Sequence, residues 1–247
     1  MHKRENTEFA EDWLKNDIIQ SLSPYSREFA LIEYGRGIGK YAERLKNIGL
    51  NNDKLVLDAG GGIGNWAIPL ALMNENVEVV DILSERLLLG KAMADRMQIN
   101  NIKFRHSSIE KLPYSNSSFD SVICYSVIMF TDINKTLNEF NRVLKPGGKL
   151  FLMTDLWRWY LGKGYPEKDK TKYIFGLFKS KIRNSIPKFL SVKDINNFVI
   201  KAGFEIIDSG QDGHTSFKTQ TNKSGYEFYP SNIKGKEELW EICALKK

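Results

Sequence analysis

The sequence predicts an α/β protein built on a doubly wound, mostly parallel β-sheet. Three observations support this class: short apolar runs alternate with helical patterns from residue 54 to residue 155, a glycine-rich turn follows the first run, and two strand patterns come late. Short apolar runs bounded by turn residues are typical of buried parallel strands. Their alternation with helices predicts a sheet covered on both faces. The 247 residues suffice for one such domain with an insertion.

The apolar patterning places each element in chain order. Strands are predicted at 54–59, 77–81, 101–106, 119–125, 149–155, 204–208 and 239–245. Helices are predicted at 40–48, 64–73, 84–97, 136–144 and 191–202. We expect Ser84 to cap the helix that it begins, and Pro146 with the two glycines after it to stop the helix before the fifth strand.

The first thirty residues carry apolar side chains at helical spacing, which predicts an amphipathic helix interrupted at Ser23 and Pro24. We expect residues 1–50 to form an N-terminal helical cap. Residues 51–247 are expected to form the main domain.

Residues 156–190 differ from the rest of that domain in charge. They hold nine lysines and arginines against two acids, a net charge of +7, whereas the whole chain carries +6. A basic insertion directly after the fifth strand is expected to cover the active face like a lid and to attract an anion. A solvated surface loop fits the same composition.

The composition argues against several other classes of protein. The longest apolar run, 66–73, is too short to span a bilayer, and the polar N-terminus lacks the apolar centre of a secretory signal. Cys124 and Cys243 lie in apolar strand patterns, where buried free thiols are typical of a reducing cytosol. No His/Cys cluster has metal-site spacing. We expect a cytoplasmic protein without a metal or a membrane span, and the oligomeric state stays open.

The glycine-rich turn holds Gly60, Gly62 and Gly64 at alternate positions, and Asp58 precedes it. Glycines allow a tight turn and let a ligand lie against the backbone. Such a turn is weakly specific by itself, because nicotinamide and flavin cofactors use similar ones. The dinucleotide pattern G-x-G-x-x-G would need a glycine where Asn65 stands, which argues against those cofactors.

Three further segments follow the turn in order. Asp81 ends the second strand, 21 residues beyond Gly60, where a carboxylate can accept hydrogen bonds from ribose hydroxyls. Residues 107–114 follow the third strand and lead through 118–123 into the fourth. Residues 142–150, with the sequence RVLKPGGKL, join a helix to the fifth strand.

These four segments in register resemble the class I S-adenosylmethionine-dependent methyltransferases, particularly the type 11 subgroup, over residues 54–155. The resemblance implies a Rossmann-like sheet of seven strands in the order 3-2-1-4-5-7-6, with strand 7 antiparallel and an insertion after strand 5. It also implies S-adenosyl-L-methionine as cofactor. The family's common cysteine is glycine at position 61, a change expected to matter little.

The resemblance implies a role for individual residues in cofactor binding. The turn glycines and Asp58 would hold the methionine part, and Asp81 would bind the ribose. Relatives commonly carry aspartate at the position of Ser108, so that contact with the adenine amino group is expected to be weaker. Arg36 would pair with the methionine carboxylate, although an exposed cation in a turn is equally expected. The predicted cofactor residues are Tyr34, Arg36, Asp58, Gly60, Gly62, Asp81, Ile82, Ser108, Ile109 and Tyr125.

The acceptor is less well determined than the cofactor. Ligands of open α/β sheets gather at the carboxyl ends of the strands, so we expect a pocket drawing on 125–126, 155–160 and 210–217. His214 is the histidine best placed to act as a base, with Asp155 as its rival. The predicted function is O-methylation of a small, anionic metabolite, such as one in surface-carbohydrate biosynthesis. An RNA-directed methyltransferase or RNA-binding protein, or a nicotinamide-dependent oxidoreductase, remains the alternative, although nucleic acid is not the expected partner.

Overall fold

The computed structural model describes residues 17–156, 188, 190–218 and 239–247. Its strands are β1 Val56–Ala59, β2 Val77–Asp81, β3 Ile102–His106, β4 Phe119–Tyr125, β5 Leu144–Asp155, β6 Phe204–Gln211 and β7 Leu239–Lys246. They form one sheet in the order β3-β2-β1-β4-β5-β7-β6. β7 runs antiparallel to both β5 and β6. The predicted fold class and strand order are confirmed.

The helices pack around strands whose apolar residues are buried. They are α1 Asp17–Ser21, α2 Pro24–Gly35, α3 Ile38–Ile48, α4 Ala67–Ala71, α5 Ser84–Arg96, α6 Ile133–Val143 and α7 Val192–Lys201. The predicted break before α2 is present, and Ser23 caps this helix by accepting a hydrogen bond from the backbone of Ser26. Within the described ranges, no helix has the length and apolar character needed to cross a membrane.

The residues predicted to cap α5 and to stop α6 do not do so. Ser84 is the first helical residue of α5 rather than its cap, and the N-cap is Leu83, whose N–H donates to Asp81 Oδ1 at 2.8 Å. No side chain caps the first N–H groups of this helix, and the Asp81 carboxylate instead holds the backbone of the residue just before it. Helix α6 ends at Val143, before the predicted proline stop, because Leu144 already pairs with Phe119 as the start of β5.

The chain divides into two compact units, Met1–Ile109 and Glu110–Lys247. In the first, β1 pairs with β2 and β2 with β3, all in parallel. In the second, β4 and β5 are parallel neighbours and β7 lies between β5 and β6. The predicted division into a cap and a main domain stays a prediction. The predicted basic insertion, 156–190, lies outside the described residues except at positions 156, 188 and 190.

Candidate cofactor and acceptor sites

The glycine turn in the first unit uses its own N–H groups to hold its shape. Gly60 and Gly61 both donate to the carbonyl of Val80, at 2.7 and 3.2 Å. Gly62 donates to Asp81 Oδ2 at 3.0 Å and has a φ of +51°, a left-handed conformation that favours glycine. These three N–H groups are therefore engaged within the protein rather than offered to a ligand.

The engagement of these N–H groups distinguishes between two classes of ligand. A pyrophosphate needs free N–H donors, as the turns of dinucleotide-binding proteins provide. A turn whose N–H groups are engaged and that lies beside two carboxyl groups favours a cation instead, such as an ammonium or a sulfonium. The geometry therefore argues against the nicotinamide alternative.

Asp58 is the second part of this site. Its side chain is 1% exposed, and Oδ2 has no hydrogen-bond partner among the described residues. Burial, and then the nearby charge of Asp81, raises the pKa of Asp58 to about 8. An orphaned buried carboxyl oxygen beneath the turn fits a ligand that brings its own positively charged donor, and the amino group of S-adenosylmethionine is such a donor.

Gly61 has a larger role than the sequence predicted. A Cβ atom at this position would lie 2.5 Å from Asp58 Oδ2 and 2.6 Å from a methyl carbon of Val79. Asp58 therefore occupies the space that a side chain at position 61 would need. Glycine at this position is therefore required by the packing of this structure, and its effect on cofactor binding stays a prediction.

Asp81 is the third part, and both of its oxygens accept backbone N–H groups. Oδ2 accepts from Gly62 and Oδ1 from Leu83. The side chain is 7% exposed. Burial raises the pKa of Asp81. The backbone hydrogen bonds to its oxygens and, separately, the positive charge of Arg86 oppose that increase. Each carboxylate oxygen keeps a further lone pair, so this carboxylate can still accept from the two hydroxyls of a ribose.

Helix α2 reaches the same turn through Tyr34. The Tyr34 hydroxyl donates to the carbonyl of Ile63, and burial raises its pKa well above the usual range, so it stays a neutral donor. Arg36 lies at the end of this helix, with Nε 3.6 Å from Glu33 Oε1. Its predicted bond to a methionine carboxylate stays a prediction.

The remaining cofactor residues of the first unit differ in exposure. Ile82 is 53% exposed and Ile109 is 4% exposed. Ser108 is exposed. An apolar side chain left in solvent directly after Asp81 is what an adenine ring could cover, but the roles of all three stay predictions.

The second unit holds a different polar cluster. The sheet register aligns Tyr125 of β4, Met153 of β5, Glu241 of β7 and Gly210 of β6 in one row. The Tyr125 hydroxyl donates to Asp212 Oδ1 at 2.9 Å, and both side chains are buried. Because β4 and the loop after β6 are far apart in sequence, this bond fixes the loop against the sheet.

Ser126 and Asp155 form a second pair at the ends of β4 and β5. Ser126 Oγ donates to Asp155 Oδ1 at 2.9 Å, and Asp155 is 6% exposed. Ser126 adopts a φ of +56°, a conformation that costs a non-glycine residue about 1 kcal/mol. Backbone strain of this kind is typical of functional sites.

Thr215 and Glu241 form the third pair. Thr215 Oγ1 donates to Glu241 Oε2 at 2.8 Å, and Glu241 is fully buried. The loop crosses Gly210 closely, since a Cβ there would lie 3.5 Å from Thr215 and 3.7 Å from the Cβ of His214. His214 is half-buried between the two anchored positions, so the loop holds its backbone while its ring stays accessible.

Sequence reasoning reached His214, Asp155 and Tyr125 but did not single out Asp212, Thr215 or Glu241. A carboxylate inside the apolar run of β7 was an available signal for Glu241. Asp212 and Thr215 gave no comparable signal, because polar loop residues are common. Across the ranges that the structure covers, no three His, Cys, Asp or Glu side chains group as a metal site would require.

Comparison with known proteins places this geometry in a family. Residues 50–181, more than half of the chain, match the family model described as a methyltransferase domain. The chain is 28% identical over 168 residues to a ubiquinone/menaquinone biosynthesis C-methyltransferase of Zymomonas mobilis, covering 60% of this chain and 66% of that relative. This chain thus spans about two thirds of the relative's length.

Two other proteins cover more of the chain. A demethylmenaquinone methyltransferase of Bacillus cereus is 26% identical over 205 residues, covering 77% of this chain and 86% of the relative. The solved structure of a geranyl diphosphate C-methyltransferase from Streptomyces coelicolor A3(2) has a TM-score of 0.64 at 18% identity, covering 92% of this chain and 85% of that one. At that identity the structure supports the fold alone.

A doubly wound sheet of this strand order, with a glycine turn between two buried aspartates, is typical of the class of Rossmann-like methyltransferases. The chain belongs to the methyltransferase-domain family of S-adenosylmethionine-dependent class I methyltransferases. The predicted family, enzyme class and cofactor, S-adenosyl-L-methionine, are thereby confirmed.

Proposed function

We propose that this methyltransferase acts on a hydroxyl oxygen of a small acceptor that carries negative charge elsewhere. The observation that carries the proposal is the polar cluster of the second unit, where three hydrogen-bonded pairs are present and two of them anchor Asp212 and Thr215, on either side of His214 in the chain. Carboxylates such as Asp155 and Asp212 suit hydroxyl donors. The negative charge of the acceptor would be met by the basic residues of 156–190.

The chain's residues have separate tasks in this reaction. When bound, S-adenosylmethionine supplies a methyl group that its sulfonium already makes electrophilic. Asp58 and the carbonyls of the glycine turn would hold the ammonium, and Asp81 would fix the ribose. These contacts orient the cofactor, which is most of what an in-line transfer needs from the protein.

Removing the acceptor's proton is the remaining task. A hydroxyl becomes a good nucleophile only when its proton leaves, so a base is required. His214 would accept that proton at a ring nitrogen, because a neutral imidazole can act as a general base. Asp155, which accepts from Ser126, is the rival base.

A second candidate is methylation of a ring carbon in a hydroxylated aromatic acceptor. The names of the Zymomonas and Bacillus relatives, which refer to ubiquinone, menaquinone and demethylmenaquinone, favour it. Loss of a phenolic proton would activate the ring carbon, so the same base would serve. For an RNA acceptor, only the basic composition of residues 156–190 is favourable. The cytoplasmic location of the protein also stays a prediction.

The test is a transfer assay with S-adenosylmethionine carrying a ¹³C-labelled methyl group. The acceptor panel contains hydroxylated metabolites with and without a phosphate or carboxylate, a hydroquinone, and bulk RNA. We expect label in a methoxy group of an anionic acceptor, identified by its NMR shift. Label on a ring carbon would establish the second candidate, and label only in RNA would contradict both.

Variants then identify the base. His214→Asn should lower kcat about 100-fold, the lower end of the usual range for a general base, and Asp155→Asn should lower it less. Glu205→Gln, an exposed carboxylate on β6, is the control. A fully active His214→Asn protein would assign the proton transfer to Asp155 or to solvent.

A further inference from the structure

Helix α2 is fastened to helix α5 beside the ribose-binding carboxylate. Glu85 accepts hydrogen bonds from the Ser23 N–H at 3.3 Å, from Ser23 Oγ at 2.8 Å and from Ser26 Oγ at 2.5 Å. Burial alone would raise the pKa of Glu85, but the bonds from Ser26 and Ser23 hold it below its usual value. An ionised carboxylate at the start of α2 also suits the positive end of the helix dipole.

Arg86, the next residue, is held by the same face of α2. Its Nε donates to Ser26 Oγ at 3.4 Å, and its guanidinium carbon lies 4.9 Å from the centre of the Phe29 ring. A guanidinium over an aromatic face is attracted by the ring quadrupole. These contacts restrict the orientation of a side chain that would otherwise be flexible.

The orientation brings Arg86 to the glycine turn. The point where a Cβ of residue 62 would stand is 3.7 Å from Arg86 Cδ, 3.9 Å from Arg86 Nη1 and 3.7 Å from Asp81 Oδ2. Arg86 and the ribose-binding carboxylate therefore border the same small space beside Gly62.

We infer that Arg86 is a positioning residue of the ribose subsite, held by Ser26 and Phe29 so that its charge stabilises the Asp81 carboxylate and keeps it in place. A buried carboxylate loses part of its preference for the ionised form, and a nearby cation restores it. Only the ionised form accepts through both oxygens from Gly62, from Leu83 and from two ribose hydroxyls. The N-terminal helix thereby becomes part of the cofactor site.

This inference goes beyond the proposed function, because it concerns the cofactor and holds for any acceptor. It is tested by calorimetric binding of S-adenosylhomocysteine to the full chain, without turnover. We expect Arg86→Met to weaken binding about tenfold, the equivalent of one charge-assisted hydrogen bond. Arg86→Lys keeps the charge and should stay within about threefold of the parent. Lys91→Met, an exposed cation on the same helix, should bind as the parent does.

A second probe locates the effect. Methylthioadenosine has the ribose but no amino-acid part, so Arg86→Met should weaken its binding by the same factor. Ser26→Ala, which removes a contact to Arg86 and leaves its charge, should weaken both ligands by a smaller factor.

Three results would overturn the inference: parent-like binding by Arg86→Met, equal losses in Arg86→Met and Arg86→Lys, or a loss confined to S-adenosylhomocysteine. Thermal unfolding of each variant identifies a protein that fails to fold. If Arg86→Met fails to fold, the binding constants of Ser26→Ala and Arg86→Lys decide the question. Failure of the transfer assay with intact ligand binding would count against the proposed acceptor and leave Arg86 unaffected.

Discussion

The two units of the chain build their polar sites in different ways. In the first unit the site is held by backbone groups, since Gly60 and Gly61 donate to a neighbouring strand and Asp81 accepts two N–H groups. In the second unit it is held by bonds between side chains, as in the pairs Tyr125–Asp212 and Thr215–Glu241. The first site depends on glycines in the turn and on the Asp81 carboxylate that accepts backbone N–H groups, so it tolerates few substitutions at these positions. We therefore expect the two sites to fail separately, the first in cofactor binding and the second in turnover.

The largest effect is expected from Asp81→Ala. The change leaves the N–H groups of Gly62 and Leu83 without their acceptor and removes two bonds to the ribose, so S-adenosylhomocysteine should bind at least about 100-fold more weakly. Isothermal calorimetry measures the loss. Asp95→Ala, an exposed acid on α5, serves as control, and near-parent affinity in Asp81→Ala would remove the ribose assignment.

A smaller effect, confined to turnover, is expected from Glu241→Met. Loss of the acceptor for Thr215 frees the loop that carries His214, so kcat should fall about tenfold, the equivalent of roughly 1.4 kcal/mol. The dissociation constant for S-adenosylhomocysteine should stay within about twofold, because the loop belongs to the second unit. Steady-state kinetics and calorimetry on one preparation decide the matter. A large loss of cofactor affinity would show that the two sites do not fail separately.

A third effect, on neither cofactor binding nor turnover, is a pH dependence of stability in the first unit. The pKa of Asp58 rises from 3.8 to about 8 on folding, so between these values the folded state keeps a proton that the unfolded state has lost. Stability therefore falls as pH rises through this window. Asp58→Asn should remove about 1–3 kcal/mol of the difference between pH 5 and pH 7. Urea unfolding at both pH values measures it, and parallel profiles for the two proteins would contradict a neutral Asp58.

The difference between a site held by backbone groups and one held by bonds between side chains also explains which parts of the fold and of the sites the sequence could predict. Asp58, the turn glycines and Asp81 lie within 24 residues and depend on strand ends and backbone turns, which leave a readable spacing. Asp212 bonds a residue 87 positions away, and Arg86 reaches Ser26 across 60 positions. Contacts of that range depend on how elements pack, so no local pattern reveals them.

The ends of the helices show the same limit of prediction from sequence, over shorter distances along the chain. Ser84 is a suitable cap by type, yet it is already the first helical residue, and Asp81 binds the N–H of Leu83 just before it. The consequence of glycine at position 61 was also invisible, because it arises from the position of the Asp58 side chain. Side-chain packing, rather than residue type, decided both.

The central claim is that the glycine turn, Asp58 and Asp81 together bind an adenosyl ligand through its ammonium and ribose groups. A calorimetric titration of the full chain with S-adenosylhomocysteine tests it most directly, with NADH titrated in parallel. The account predicts one binding site with micromolar affinity for the first ligand and no measurable heat for the second. A folded chain that gives no heat with S-adenosylhomocysteine, or binds NADH equally well, would contradict it.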